Sequence, residues 1–175
     1  LMEEIMENTI RKKDLFTNAM SNLMKDKLTI SIELLNELIK TDSDEKMAFL
    51  ARGSVYLKSG DSKKAVYEFT RAIEIDSKHP KAYHLRGLAH EMAGDDDQAL
   101  KDFNQAIEID SEYGAAFFSR ATLLTKMGQE DLALEDMKMV NHLSNLNIES
   151  FANDNNVWRS RHLQMENIME TELNR

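Results

Sequence analysis

The sequence contains no cysteine, so histidines and carboxylates are the residues that could bind a metal or carry catalysis. Its five histidines are His79, His84, His90, His142 and His162. No two of them are four residues apart and none belongs to a His-Glu-x-x-His motif, so the spacing that places two metal ligands on one helix face is absent. Without cysteine there is also no thiolate ligand, cysteine nucleophile or disulfide. The pattern predicts structural histidines and no metal site.

Motifs for covalent or phosphate chemistry are also absent from the sequence. It holds no Gly-x-Ser-x-Gly elbow, no phosphate-binding loop and no dinucleotide fingerprint. The acidic run at 95–97 does not alternate ligands over about twelve residues as a calcium loop does, and its place at the start of a predicted helix is typical of capping. We therefore predict a protein that is not an enzyme and needs no cofactor.

The charge balance restricts the class of partner. There are 22 basic and 31 acidic residues, a net charge of −9, and no segment is basic enough to neutralise a phosphate backbone or an anionic lipid surface. No apolar run approaches the roughly 18 residues of a membrane span, and the N-terminus lacks the apolar segment of a secretion signal. The sequence predicts a cytoplasmic protein whose partners are neither nucleic acids nor membranes.

Oppositely charged residues recur at a common interval of 34 positions. The arginines are Arg52, Arg86 and Arg120, and the carboxylates are Glu68, Asp102 and Asp136. Two oppositely charged series with the same period are typical of structural ion pairs that recur in every repeat. The alternative is that the arginines bind a ligand or take part in catalysis. We predict a ladder of structural ion pairs, within or between repeating units.

The same interval of 34 residues organises most of the sequence. It relates glycines, alanines and aromatics, and whole phrases recur, with RAIEIDS at 71–77 and QAIEIDS at 105–111. The residues so related are Gly60, Gly94 and Gly128, then Ala65, Ala99 and Ala133, and then Phe49, Tyr83 and Phe117. Self-similarity at such a period indicates a stack of similar supersecondary units.

Each unit is predicted to contain two helices. In 80–113 the first helix runs from about Pro80 to Met92 and the second from about Asp96 to Ile109. Pro80 suits a first helical position, where its missing N–H costs nothing, and Gly94 suits the turn between the helices. An antiparallel helix pair is therefore the predicted building block.

The period and its order of aromatic, small, glycine, alanine, aromatic and alanine positions resemble the tetratricopeptide repeat. In the central unit these positions are Tyr83, Gly87, Gly94, Ala99, Phe103 and Ala106. The resemblance covers 46–79, 80–113 and 114–147. It implies an all-α fold, a right-handed α-solenoid of antiparallel helix pairs.

The N-terminal end of the solenoid is predicted from a weaker pattern. Residues 12–45 resemble a degenerate unit with helices at about 12–25 and 28–40, in which Asp26 occupies the position of the turn glycine. Terminal repeats are commonly atypical because they cap the stack. Residues 1–11 are predicted to form an N-terminal segment or short helix.

The C-terminal region, residues 148–175, is predicted to close the stack with a capping helix. The asparagine-rich cluster at 153–156 interrupts the repeat pattern, and apolar residues return on adjoining turns of a helix over about 157–172. We therefore predict about four helix pairs and one capping helix in one continuous domain. If the protein forms a homodimer, the residues predicted to mediate self-association are Trp158, Met165 and Met169.

The resemblance implies that a second stripe of the first helix in each unit lines a concave groove, where extended peptides or partner helices bind. The residues on this stripe are Phe16, Met20, Met24, Leu50, Ser54, Leu57, His84, Leu88, Met92, Phe118 and Thr122. Family members that clamp the C-terminal carboxylate of chaperones have lysine, arginine and asparagine at such positions, so that function is disfavoured. The stripe is instead apolar and rich in methionine, which suits irregular partners.

The sequence therefore predicts a non-catalytic protein–protein interaction module that binds an apolar or amphipathic peptide or helix in this groove. Several alternatives stay open. Some stripe residues could pack between units, and the groove could be filled by residues 1–10 or 157–172 of the chain or by a second copy. The protein could also be a self-associating scaffold that uses the groove or the terminal helix. Because the sequence starts at Leu1, it also fits a regulatory fragment of a larger protein.

Overall fold

The computed structural model describes residues 2–42 and 45–154 of the chain. These residues form eight α-helices and no strand: α1 (Met2–Met24), α2 (Leu28–Thr41), α3 (Lys46–Ser59), α4 (Ser62–Ile75), α5 (Pro80–Ala93), α6 (Asp96–Ile109), α7 (Gly114–Lys126) and α8 (Glu130–Asp154). Each odd-numbered helix packs on the even-numbered helix that follows it, and each of α2, α4 and α6 also packs on the next odd-numbered helix. The predicted right-handed α-solenoid of antiparallel helix pairs is confirmed.

Three glycines with positive φ make the turns between paired helices. Gly60 and Gly94 have φ of 83°, and Gly128 has φ of 76°. A side chain at such a backbone position is strained, so glycine is the residue that ends these helices at least cost. Among the described residues, Asp26 is the only non-glycine with positive φ, at 60°. It makes the corresponding turn of the first pair, as expected for the degenerate unit.

Glycine also allows the two helices of a pair to approach closely. A Cβ atom on Gly53 would lie 2.5 Å from Cε1 of Phe69, and one on Gly87 would lie 2.6 Å from Cε1 of Phe103. Both phenylalanines have 0% exposure. The aromatic ring of the second helix therefore packs directly on the glycine of the first, and the 34-residue period repeats this contact.

The N-terminal boundary differs from the sequence prediction. An N-terminal segment or short helix within 1–11 and a separate helix at about 12–25 were expected, but α1 is one helix of 23 residues from Met2 to Met24. No glycine or proline interrupts this stretch, so the backbone has no local reason to break.

The C-terminal boundary differs as well. The last repeat unit was predicted to end at 147, but α8 continues as one helix to Asp154. The predicted capping helix over 157–172 lies outside the described residues.

A ladder of ion pairs joins the two helices of each of the last three pairs. The pairs are Arg52–Glu68, Arg86–Asp102 and Arg120–Asp136, with closest N···O distances of 2.8, 2.7 and 2.6 Å. All three carboxylate residues are buried. Burial raises the pKa of Glu68, against the lowering effect of the Arg52 guanidinium. The predicted ladder is confirmed, and it lies within the units.

The same arginines also contact the preceding unit. The second contacts are Arg52 to Asn36 at 2.7 Å, Arg86 to Thr70 at 3.3 Å and Arg120 to Asn104 at 2.7 Å. Their acceptors are again 34 residues apart, a periodic signal that the sequence analysis did not use. Each guanidinium also lies over the aromatic ring three residues earlier, 5.7, 5.5 and 5.5 Å from the ring centre. Each arginine therefore ties its own unit to the unit before it.

Candidate partner-binding groove

The odd-numbered helices lie on the inner, concave side of the solenoid. Contacts join α1 with α3, α3 with α5, and α5 with α7, whereas no two even-numbered helices are in contact within the described residues. In a curved stack, the row of helices whose neighbours approach each other is the inner row. We call the surface formed by this row of odd-numbered helices the groove.

Nine of the eleven residues predicted to line the groove are accessible in the structure. The exposed ones are Met24, Met92, Phe118 and Thr122, and the half-buried ones are Phe16, Met20, Ser54, Leu57 and Leu88. Met24 and Phe118 are 84% and 54% exposed. The concave surface therefore presents large apolar side chains to solvent at both of its ends.

Leu50 is buried, which corrects the sequence prediction that it lines the groove. It is only 4% exposed and packs in a core cluster that includes Ala82 and Ala89 of α5. These alanines are small enough for α5 to lie close to α3, and Leu50 fills the space between the two helices.

His84 is also buried, at 9% exposure, and is likewise not part of the accessible groove. Its Nε2 lies 2.9 Å from the Ser119 hydroxyl, and its Nδ1 lies 3.3 Å from the Tyr113 hydroxyl. Both ring nitrogens thus have partners, one on α7 and one on the residue just before α7, so the side chain joins α5 to α7. Burial lowers the pKa of His84 to about 4, and the nearby Lys81 acts in the same direction.

The low pKa of His84 predicts that the protein loses stability in mild acid. The unfolded chain binds a proton at His84 below its ordinary pKa of 6.5, whereas the folded chain stays neutral there until about 4. The contribution is therefore complete above pH 6.5 and is lost as the pH falls toward 4. Between pH 7 and pH 5 we expect a loss of about 2 kcal/mol in the free energy of unfolding, measured by urea denaturation.

A matched pair of variants isolates this effect. His84→Gln should flatten the pH dependence between pH 7 and 5, whereas His142→Gln, on the exposed side of α8, should keep the wild-type slope. Burial also lowers the pKa of His79 and raises that of Glu68, but these opposing contributions are present in both variants and cancel in the comparison. Equal slopes in the two variants would contradict the prediction.

A shallow, open cavity of about 560 Å³ lies on the groove between α3, α5 and α7. It is lined by Leu57, Leu88, Glu91, Met92 and Lys126. Ligand sites commonly have volumes of roughly 300–1,000 Å³ and combine an apolar lining with a few polar groups. Three apolar side chains with one charge of each sign suit the binding of an amphipathic segment.

The accessible groove is more basic than the protein as a whole, whereas the stripe was predicted to be mainly apolar. Helical spacing places Lys13, Lys58, Lys81 and Lys126 on the concave stripe, with Glu91 as its acidic residue. We call these four the groove lysines. Two of them are already paired with carboxylates at the turns, Lys58 with Asp26 at 2.9 Å and Lys126 with Asp96 at 2.7 Å. The other two, Lys13 and Lys81, are exposed.

The described residues contain no group of three or more histidine, aspartate or glutamate side chains that could hold a metal ion. None of the described helices is long and apolar enough to cross a bilayer. Trp158, Met165 and Met169, the residues predicted to mediate self-association, lie outside the described residues.

The fold described above is shared by solved structures of known proteins. The crystal structure of MamA superposes with a TM-score of 0.72 and 20% identity, covering 79% of this chain and 81% of that one. MamA from Desulfovibrio magneticus RS-1 gives a TM-score of 0.70 and 17% identity, with 77% and 76% covered. These likenesses show the fold. No curated protein sequence matches the chain.

A shorter structure has a higher sequence identity. It is the second tetratricopeptide domain of Spaghetti (RPAP3) bound to the HSP90 peptide SRMEEVD, with a TM-score of 0.55, 28% identity, and coverage of 58% of this chain and 94% of that one. Family models described as tetratricopeptide repeat and TPR repeat match residues 80–113 and 53–94. The 34-residue period continues on both sides of the matched segment. Residues 53–113 therefore match the tetratricopeptide-repeat family, and the chain as a whole is similar in fold to solenoids of such repeats.

Proposed function

We propose that this protein is a non-catalytic interaction module that binds an apolar or amphipathic segment of a protein partner in its concave groove. The observation that carries the proposal is the accessible apolar surface formed by Leu57, Leu88 and Met92 around a cavity of about 560 Å³. Exposed apolar surface of this kind, rimmed by charge, is typical of interaction sites.

The mechanism follows from the rigidity of the scaffold. Arg52, Arg86 and Arg120 tie successive units together, so the groove exists before a partner arrives. Binding then orders the partner segment but not the groove, which lowers its entropic cost. The likeness to a tetratricopeptide domain solved with a seven-residue peptide supports a short peptide as ligand. The predicted cytoplasmic location, and the predicted exclusion of nucleic acids and membranes, stay predictions.

A peptide-library selection on the purified protein tests the proposal. The expected ligands contain apolar residues flanked by acidic ones, because the groove combines apolar side chains with lysines. Their affinity should fall at least tenfold for Leu88→Glu/Met92→Glu, since the two new carboxylates lie in the cavity lining. Binding is measured by isothermal titration calorimetry or fluorescence anisotropy.

The matched control is Tyr67→Glu. Tyr67 is 61% exposed on α4, one of the even-numbered helices outside the concave row, so this variant should bind the selected peptides as the wild type does. Peptides that bind the double variant and the control with equal affinity would show that the groove is not the site.

A further inference from the structure

The first nine residues of α1, from Met2 to Ile10, extend beyond the helix that pairs with it. α1 has 23 residues and α2 has 14. The far end of α2 is joined to α1 through Lys12, whose Nζ lies 2.7 Å from Asp42. The stretch before this contact is about 13 Å of helix, which we call the N-terminal extension.

The N-terminal extension carries an exposed apolar stripe. Met2, Met6 and Ile10 are 85%, 62% and 55% exposed, and their spacing of four residues places them on one face of the helix. Such a face is costly to leave in water. No other described helix covers it, because α2 ends alongside Lys12.

The extension cannot fill the groove of its own molecule. α1 is a single helix without a break, and its second half is fixed in the core through Leu15 and Ala19, which are 9% and 0% exposed. To enter its own groove the extension would have to fold back through a turn that the helix does not contain. An intermolecular contact has no such restriction.

The charges of the extension and of the groove are complementary. Residues 2–10 contain three glutamates and no lysine or arginine, a net charge of −3. The groove presents four lysines against Glu91 and the turn carboxylates Asp26 and Asp96, a net charge of +1, in a chain whose net charge is −9. Lys13 and Lys81 are exposed and accessible to the carboxylates of an incoming helix.

From this match we infer that the occupant of the groove is the N-terminal extension of a second copy of the same chain. The inference rests on the proposed function, since it names the segment that the groove binds. Apolar side chains at i, i+4 and i+8 of the extension enter the cavity beside Leu88 and Met92, as in other helix-in-groove complexes. The contact joins two different surfaces, so it is heterologous and assembles molecules head to tail.

The size of the contact sets its strength. A helix of nine residues offers an interface below the roughly 1,200 Å² of stable complexes, so association should be weak and should grow with protein concentration. Raising the salt concentration should weaken it further, because exposed charges are screened.

Sedimentation velocity over a range of concentrations tests the inference on the full chain. The wild type and the control Tyr67→Glu should form dimers and larger species as the concentration rises. Met6→Glu/Ile10→Glu, in the extension, and Leu88→Glu/Met92→Glu, in the groove, should each stay monomeric. Met6, Ile10 and Met92 are exposed, but Leu88 is half-buried and packs against a core cluster, so circular dichroism melts are needed to check that each variant folds.

Mixing the two monomeric variants gives the decisive measurement. The groove of the extension variant and the extension of the groove variant are both intact, so an equimolar mixture should form a 1:1 dimer. This dimer should not form larger species, because the extension and the groove that remain free both carry the glutamate substitutions. Absence of the dimer, or a wild type that is monomeric at every concentration, would overturn the inference.

The failure of this inference is distinguishable from failure of the proposed function. A monomeric protein whose groove still binds peptides from the library selection would retain the function and lose the self-association. Self-association that persists in the groove variant would place the contact elsewhere, for example on α8, and would equally overturn the inference.

Discussion

Replacing Phe103 with alanine is expected to lower the free energy of unfolding by about 3–5 kcal/mol, the cost of removing a fully buried phenylalanine. Phe103 has 0% exposure and lies against the backbone of Gly87. It also contacts the ring of His84 at a centroid distance of 5.8 Å. The cavity left behind would therefore lie between α5 and α6 in the centre of the stack, where neighbouring units hold the helices apart.

Phe118→Ala is the matched control for this prediction. It makes the same chemical change on the neighbouring unit, but Phe118 is 54% exposed in the groove, so its effect should stay within about 0.5 kcal/mol. Urea denaturation followed by circular dichroism measures both variants. Equal losses in the two variants would contradict the packing described here.

Replacing Asp102 with asparagine is expected to cost about 3 kcal/mol of stability. The substitution preserves size but removes the carboxylate that accepts two hydrogen bonds from Arg86, at 2.8 and 2.7 Å. Arg86 has a side-chain exposure of 21% and Asp102 of 8%. Breaking a largely buried pair leaves an uncompensated charge, and that penalty, more than the lost attraction, makes the effect large.

Asp97→Asn provides the control for the ion pair. It neutralises an exposed carboxylate in the first turn of the same helix, so only a loss within about 1 kcal/mol is expected from the helix dipole. A double-mutant cycle that combines Asp102→Asn with Arg86→Met measures the coupling directly. A coupling energy near zero would remove the ladder as a source of stability.

Leu50 and His84 were predicted to line the groove, but both are buried. Helical spacing placed both on the same stripe as Leu88 and Met92, and spacing within one helix is all that the sequence provides. Their burial depends on how close α3, α5 and α7 lie to each other. The neighbours that bury Leu50 include Ala82 and Ala89 of α5, and those of His84 include Tyr113 and Ser119, so in both cases they lie on another part of the chain.

For the ion-pair ladder, in contrast, the pairing was predicted correctly from the sequence. Arg86 and Asp102 were paired from periodicity because a repeat places equivalent residues in equivalent surroundings. The 34-residue period alone does not distinguish a contact within one unit from a contact with a neighbouring unit. In the structure the guanidinium reaches both, since it donates to Asp102 and to Thr70. The second contact could have been found from the 34-residue recurrence of its acceptors.

The sequence by itself determined the helix pairs, their order and the positions of their turns, because these depend on local periodicity and on glycines with positive φ at a constant interval. Only the tertiary structure decided which stripe residues are accessible and how far α1 projects beyond α2. Accessibility is a property of the distances between helices, and these distances are set by side chains far apart in the sequence.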